Sequence, residues 1–177
     1  MSAPFLLDAD IVIGLHELGL WNSIVGHYGK IFLSETVYKE PLFYYSPTNQ
    51  KIPINLAPLV KKEQVKVLEG KIIIESKILE FLNRFDITEG PWLHSGELES
   101  LAIIVDSQDL RFCTVDKGPI ITLSMMKLDN RGISLEELIC NCGIRRKLEY
   151  KHTKKYFGKY ITEGKFRLIS NPQDFQL

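Results

Sequence analysis

Short apolar runs alternate with stretches of helical spacing along the first half of the chain. Phe5-Leu6-Leu7 is continuous, stops at Asp8 and reads as a buried strand. Ile11, Leu15 and Leu18 then share one face of a helix running to Leu20, with Asp10 as its expected cap. Lys30-Ile31-Phe32-Leu33 is a second strand. Ser34 is a candidate N-cap for one or two turns from Glu35 to Glu40, before Pro41. Strand, helix, strand, helix implies parallel strands joined by right-handed crossovers. Tyr44 to Gly70 is the least regular stretch, because Pro47, Pro53 and Pro58 break helices and central strands. Within it, Lys51 to Ile54 and Val65 to Leu68 read as short strands of an excursion from the main sheet.

Ile74, Ile78, Leu79 and Leu82 predict a helix over Ile72 to Phe85, followed by a loop, Ile87 to Trp92, that contains Gly90-Pro91. Leu98, Leu101, Ala102 and Val105 give the apolar face of a helix beginning near Ser95. Arg111 to Val115 is a strand ending at Asp116. Gly118-Pro119 then opens a helix to about Leu128, with proline in the first turn, where its missing N–H costs little. Asn130-Arg131-Gly132 is a turn and Ile133 a residue of brief strand. Ser134 and Glu137 form a capping box for a helix up to Cys142, and Gly143 stops it. The spacing predicts a basic helix over Arg145 to Ile161 and a final strand over Lys165 to Ile169. The expected fold is α/β: three α/β/α layers around a mostly parallel sheet.

A length of 177 residues is that of one domain, large enough to bury a core without disulfides or a structural metal. A composition of 45% hydrophobic and 25% charged residues excludes a collagen, a coiled coil and global disorder. No apolar run approaches the ~18 residues of a membrane span. No signal or transit peptide is recognised before Phe5, and the expected compartment is the cytoplasm. Three cysteines, Cys113, Cys140 and Cys142, suit a reducing compartment. Cys140 and Cys142 lack the second ligand pair that zinc needs and are expected to pack.

The net charge is zero, but its distribution is uneven. Residues 1–140 have an acidic excess, whereas residues 141–167 hold nine Lys/Arg against two Glu. An acidic body suits a cation and a basic segment suits an anion; a solvated basic helix is the plainer alternative. Asp8, Glu40, Glu97 and Asp116 stand where strands end or helices begin. In an open parallel sheet the carboxyl ends of the strands form the functional crevice, so these acids can meet there. Unneutralised, they would repel one another. An oxygen-only ligand set favours Mg²⁺ or Mn²⁺ over Zn²⁺. Asp10 either caps its helix or enlarges that site. Glu99, roughly 200° round the helix from Glu97, should point elsewhere.

Four segments, in order, carry a family resemblance: Leu6-Leu7-Asp8-Ala9-Asp10-Ile11-Val12-Ile13, Ser34-Glu35-Thr36-Val37-Tyr38-Lys39-Glu40, Ser95-Gly96-Glu97-Leu98-Glu99-Ser100-Leu101-Ala102 and Phe112-Cys113-Thr114-Val115-Asp116-Lys117. The set resembles the acidic motifs of PIN-domain nucleases over about Pro4 to Leu128, with the basic segment 134–177 outside it. Two positions depart from the family pattern: Asp10 stands where Asn, Ser or Thr is common, and Lys117-Gly118-Pro119 where a further acid often follows. The resemblance implies a toxin-like ribonuclease that uses Mg²⁺ or Mn²⁺, held by Asp8, Glu40, Glu97 and Asp116, to cleave single-stranded RNA into 5′-phosphate and 3′-hydroxyl ends. It also implies a small antitoxin-like protein partner and a homodimer. Lys117, Lys147, Lys151 and Lys154 are the expected nucleic-acid contacts; Phe43, Tyr44 and Tyr45 could stack on bases or cover a partner. Two rivals stand beside this reading. One is a catalytically inactive PIN-like binding module. The other is a haloacid-dehalogenase-like phosphatase built on Asp8-Ala9-Asp10, which would leave Glu40 and Glu97 without roles.

Overall fold

Alternate residues of three short strands enter two separate apolar clusters, one on each face of a sheet. In a computed structural model describing residues 4–85 and 93–176, β1 (Phe5–Leu7) sends Phe5 and Leu7 to one cluster and Leu6 to the other. β2 (Ile31–Ser34) divides Ile31 and Leu33 from Phe32 in the same way, and β6 (Arg111–Cys113) divides Cys113 from Phe112. Period-two side chains explain why continuous apolar runs are needed here: both faces are covered. Each fully buried Leu, Ile or Phe contributes ~1.5–3 kcal/mol relative to exposure.

The remaining sheet strands are β5 (Val65–Leu68) and β7 (Gly132–Ile133), and the order is β5-β2-β1-β6-β7, parallel throughout. A separate antiparallel hairpin joins β3 (Phe43–Tyr45) to β4 (Lys51–Pro53). One helical layer holds α1 (Ala9–Glu17), α2 (Trp21–Tyr28) and α8 (Leu135–Asn141). The other holds α5 (Ile72–Leu82), α6 (Ser95–Asp106), α7 (Lys117–Met125) and α9 (Lys154–Ser170). The short helices α3 (Glu35–Lys39) and α4 (Ala57–Lys61) complete the chain's α-helices among the described residues. The fold is therefore the expected three-layer α/β/α arrangement. No described helix is long and apolar enough to cross a membrane.

Several expectations need correction. Val65–Leu68 is no excursion: it pairs with β2 and forms an edge of the main sheet. α2 and α4 arise where no element is expected, and their N-caps, Leu20 and Leu56, make no side-chain cap bond. Asp8 rather than Asp10 caps α1, its Oδ1 accepting from Ala9 N at 2.8 Å. No basic helix begins at Arg145. Ile144 and Leu148 pack against the core, and Arg146 donates to the Leu18 carbonyl at 2.6 Å, which holds this stretch outside a helix. A 3₁₀ turn follows over Tyr150–His152, and Thr153 then caps α9, accepting from Tyr156 N at 3.2 Å.

The expected final strand over Lys165 to Ile169 is instead the last part of α9. Phe157, Tyr160, Ile161, Gly164 and Leu168 form one stripe on that helix, with i, i+3/4, i+7 and i+11 spacing. This stripe lies along α7. A Cβ at Gly164 would stand 2.6 Å from both the Ile121 carbonyl oxygen and Ser124 Cβ, so glycine sets the approach of the two helices. Ser124 Oγ ties them by donating to the Ile161 carbonyl at 2.6 Å. Cys113 is buried, but Cys140 is exposed on α8 rather than packed. The expected loop Ile87 to Trp92 lies outside the described residues.

Candidate metal centre

The strand order places a topological switch between β1 and β6. The chain leaves β1 toward β2 and β5, then returns to β6 on β1's other side. Crossovers diverge there, leaving a crevice beyond the strands' carboxyl ends. Asp8 follows β1 directly. Asp116 follows β6 after two residues and stands at the N-cap position of α7. Glu97 enters from the first turn of α6. One carboxylate oxygen from each of Asp8, Glu97 and Asp116 lies within 4.8 Å of the others.

Thr114 holds two of these acids in register. Its buried hydroxyl donates to Asp8 Oδ2 at 2.7 Å and accepts from Asp116 N at 3.2 Å. Glu97 Oε2 accepts from His94 N at 2.7 Å, which fixes the carboxylate against the start of its own helix. Oriented helix N–H groups stabilise negative charge at these positions. Such hydrogen bonds partly offset the cost of bringing two buried carboxyl groups and a half-buried one together.

The cost still dominates. Burial pushes the Asp8 carboxyl up to about 8; the Asp116 and Glu97 charges add to the rise, while Thr114 and Ala9 oppose it. Burial also raises Glu97 above the usual carboxylate range, with help from Asp116 and Asp10, against the His94 backbone bond. Asp116 is raised by burial and then by Asp10; Lys151 pulls it the other way. A site that raises three carboxyl groups is one that a cation would discharge.

Glu40 lines the same cleft, of about 190 Å³, but is not among the three clustered acids. It closes α3 as its C-cap, and its Oε1 stands 3.4 Å from where a Cβ at Gly96 would lie, which places the carboxylate against the start of α6. Burial raises Glu40, as does Asp10. Asp10 is exposed at the cleft's mouth. Glu99 points away from the cluster, as its helix angle requires. It is nonetheless buried, with Oε2 accepting from Thr36 N at 2.8 Å and Oε1 from Gly70 N at 3.2 Å. Burial pushes Glu99 up, but the bonds from Thr36 and Gly70 outweigh it and leave the carboxyl below its usual range.

The four lysines expected to meet nucleic acid do not share a helix face. Lys117 opens α7 and lines an adjoining hollow, and Lys151 lies in the 3₁₀ turn close enough to act on Asp116. Lys154 is the first residue of α9, its N–H bound to Glu136 Oε2 at 2.6 Å, and Lys147 is exposed in the stretch that departs from helix. Phe43, Tyr44 and Tyr45 lie on the separate hairpin, where Lys51 Nζ sits 3.7 Å above the Phe43 ring. His94 and Tyr156 line these hollows, although neither is an expected site residue. His94 was detectable only as the residue just before the Ser95-Gly96-Glu97 helix start.

The donor set suits a hard cation: three crowded carboxylates, oxygen only, with Asp8 and Glu97 buried and held by hydrogen bonds and Asp116 half-buried beside them. No protein-family model, no curated protein and no solved structure matches the chain.

Proposed function

We propose that this protein is a divalent-metal-dependent nuclease that hydrolyses phosphodiester bonds, with single-stranded RNA as substrate. The observation that carries the proposal is the approach of Asp8, Glu97 and Asp116 to within 4.8 Å at the switch point of a parallel sheet. The resemblance of the four acidic segments to PIN-domain nucleases supports the same reading, and with it the 5′-phosphate and 3′-hydroxyl products. Asp8, Glu97 and Asp116 would hold Mg²⁺ or Mn²⁺, with Glu40 and Asp10 at the cleft's mouth. When bound, such a cation makes water acidic and offsets charge on the phosphate.

The chain's own residues prepare this chemistry. Thr114 orients Asp8 and His94 N holds Glu97, so two of the three carboxylates are already fixed beside the cleft. Glu40 and Asp10 offer acceptors for a water's proton at the solvent side. Lys117 and Lys151 supply positive charge beside an otherwise acidic cleft, which a polyanionic substrate requires. A small antitoxin-like protein, a homodimer and a cytoplasmic location belong to the proposal through the resemblance alone.

The test is cleavage of end-labelled single-stranded RNA with Mg²⁺ or Mn²⁺, with chelator, and with the Asp116→Asn protein. The expected result is metal-dependent cleavage that Asp116→Asn abolishes while the fold persists. Equal cleavage by wild type and variant would remove the proposal.

A further inference from the structure

Beside the acidic cleft lies a second hollow of about 440 Å³ that shares Asp10, His94, Glu97 and Asp116 with it. Its other side is formed by Lys117, Gly118 and Tyr156. Tyr156 is the middle ring of three in edge-to-face succession. Its centroid is 5.5 Å from Tyr150 at an interplanar angle of 88°, and 4.7 Å from Tyr160 at 65°. Lys117 Nζ lies 5.5 Å from the Tyr160 ring centroid and Lys159 Nζ 5.1 Å. Tyr160 is buried among the residues joining α7 and α9, which accounts for it as packing. Tyr150 is less enclosed: it packs edge-to-face against Tyr156 at the border of that cluster but is itself 52% exposed.

We propose that Tyr150 and Tyr156 form a stacking wall for the unpaired bases of a single-stranded nucleic acid whose phosphate enters the acidic cleft. The inference rests on the nuclease reading for the position of that phosphate. Aromatic faces accept any base, and lysines beside them take the flanking phosphates, so a wall with Lys117 and Lys151 at its edge suits a flexible strand of mixed sequence. The hollow's volume falls in the range that holds one small ligand, which here corresponds to one nucleotide beside the cleaved bond. A duplex keeps its bases stacked inside and presents none to the wall. Base stacking thereby selects single strands, a selection that the carboxylates alone do not supply.

The experiment is fluorescence anisotropy of labelled oligonucleotides with Ca²⁺ in place of Mn²⁺, using the full chain. The probes are a single-stranded RNA, the same RNA with one abasic position moved along it, single-stranded DNA of equal sequence, and the RNA duplex. Tyr150→Ala and Tyr156→Leu should each weaken single-strand binding roughly 5- to 150-fold, the effect of losing one stacked base. Tyr156→Phe keeps the ring and should bind as wild type does. The abasic scan with unaltered protein should show one or two sensitive positions, which guards against a Tyr156→Leu protein that fails to fold. Equal binding of single-stranded DNA and RNA supports the wall, since both offer the same bases; tighter RNA binding supports it with added contact to the 2′-hydroxyl. A flat abasic scan together with wild-type affinity in Tyr150→Ala, or duplex binding as tight as single-strand binding, overturns it. Failure of the nuclease reading has a separate signature: the stacking pattern persists, but no RNA is cleaved in Mn²⁺.

Discussion

Replacing Asp8 by asparagine should stabilise the metal-free protein at neutral pH while removing its response to metal. Folded Asp8 keeps its proton to about pH 8, whereas the unfolded chain releases it near the ordinary aspartate value of 3.8. Between those limits the folded state binds more protons, so raising the pH costs stability; below them the group contributes no penalty. One proton changes stability by at most about 1.4 kcal/mol per pH unit, or about 3 kcal/mol from pH 5 to pH 7. For a chain of this length that is roughly 6–12 °C in melting temperature. The asparagine of Asp8→Asn carries no charge to bury, and its oxygen can still accept from Ala9 N while its amide donates to the Thr114 oxygen, so the variant should lack this decline. Metal reverses the order. A cation held only by the native state adds about 2.7 kcal/mol at a hundredfold excess over its Kd. Wild type should therefore melt higher with Mn²⁺, increasingly so toward pH 8, while the variant should not respond. The assay is thermal unfolding of both proteins from pH 5 to pH 8.5, with chelator and with Mn²⁺. Parallel pH curves, or equal Mn²⁺ shifts in the two proteins, would refute the argument.

Three other substitutions have defined outcomes. Glu99→Gln leaves one of the Thr36 and Gly70 N–H groups without its carboxylate oxygen, and should cost about 1–3 kcal/mol in urea unfolding with cleavage retained at a permissive temperature. The wild-type advantage should shrink as the pH falls below the usual glutamate range, because the folded carboxyl titrates lower than the unfolded one. Gly164→Ala drives a methyl against the Ile121 carbonyl and Ser124, and should destabilise by about 1–3 kcal/mol, read as a lower urea midpoint with an unchanged slope. Lys117→Ala combined with Lys151→Ala should flatten the salt dependence of single-strand binding by roughly 0.7 for each phosphate no longer neutralised, measured by anisotropy at several salt concentrations.

The parts of the fold legible in the sequence are those set by neighbouring residues. Phe5-Leu6-Leu7 before Asp8 identifies a strand covered on both faces, and Ser34 and Ser134 cap helices where their hydroxyls suggest, accepting from Val37 N and Glu137 N. α2 and α4 are hidden because Leu20 and Leu56 give no capping signal. The basic segment misleads because lysines at helical spacing say nothing about burial. Thr153 is the relevant cap, and the Phe157-to-Leu168 stripe the relevant face. At the site, strand-end position marks Asp8 and Asp116. Glu99's tie to residues 36 and 70, and the meeting of Tyr150 with Tyr156, arise only when distant or irregular segments come together.

The most direct test of a metal acting at the cleaved phosphate is the metal dependence of cleavage of phosphorothioate RNA. Sulfur in place of a phosphate oxygen binds Mg²⁺ poorly and Mn²⁺ better, as ligand softness dictates. Cleavage of the sulfur-substituted strand should be slow in Mg²⁺ and recover in Mn²⁺, whereas the all-oxygen strand is cleaved in both, and Asp116→Asn should cleave neither. Cleavage that persists in chelator or survives in Asp116→Asn, or a sulfur-substituted strand cleaved as well in Mg²⁺ as in Mn²⁺, would contradict the account.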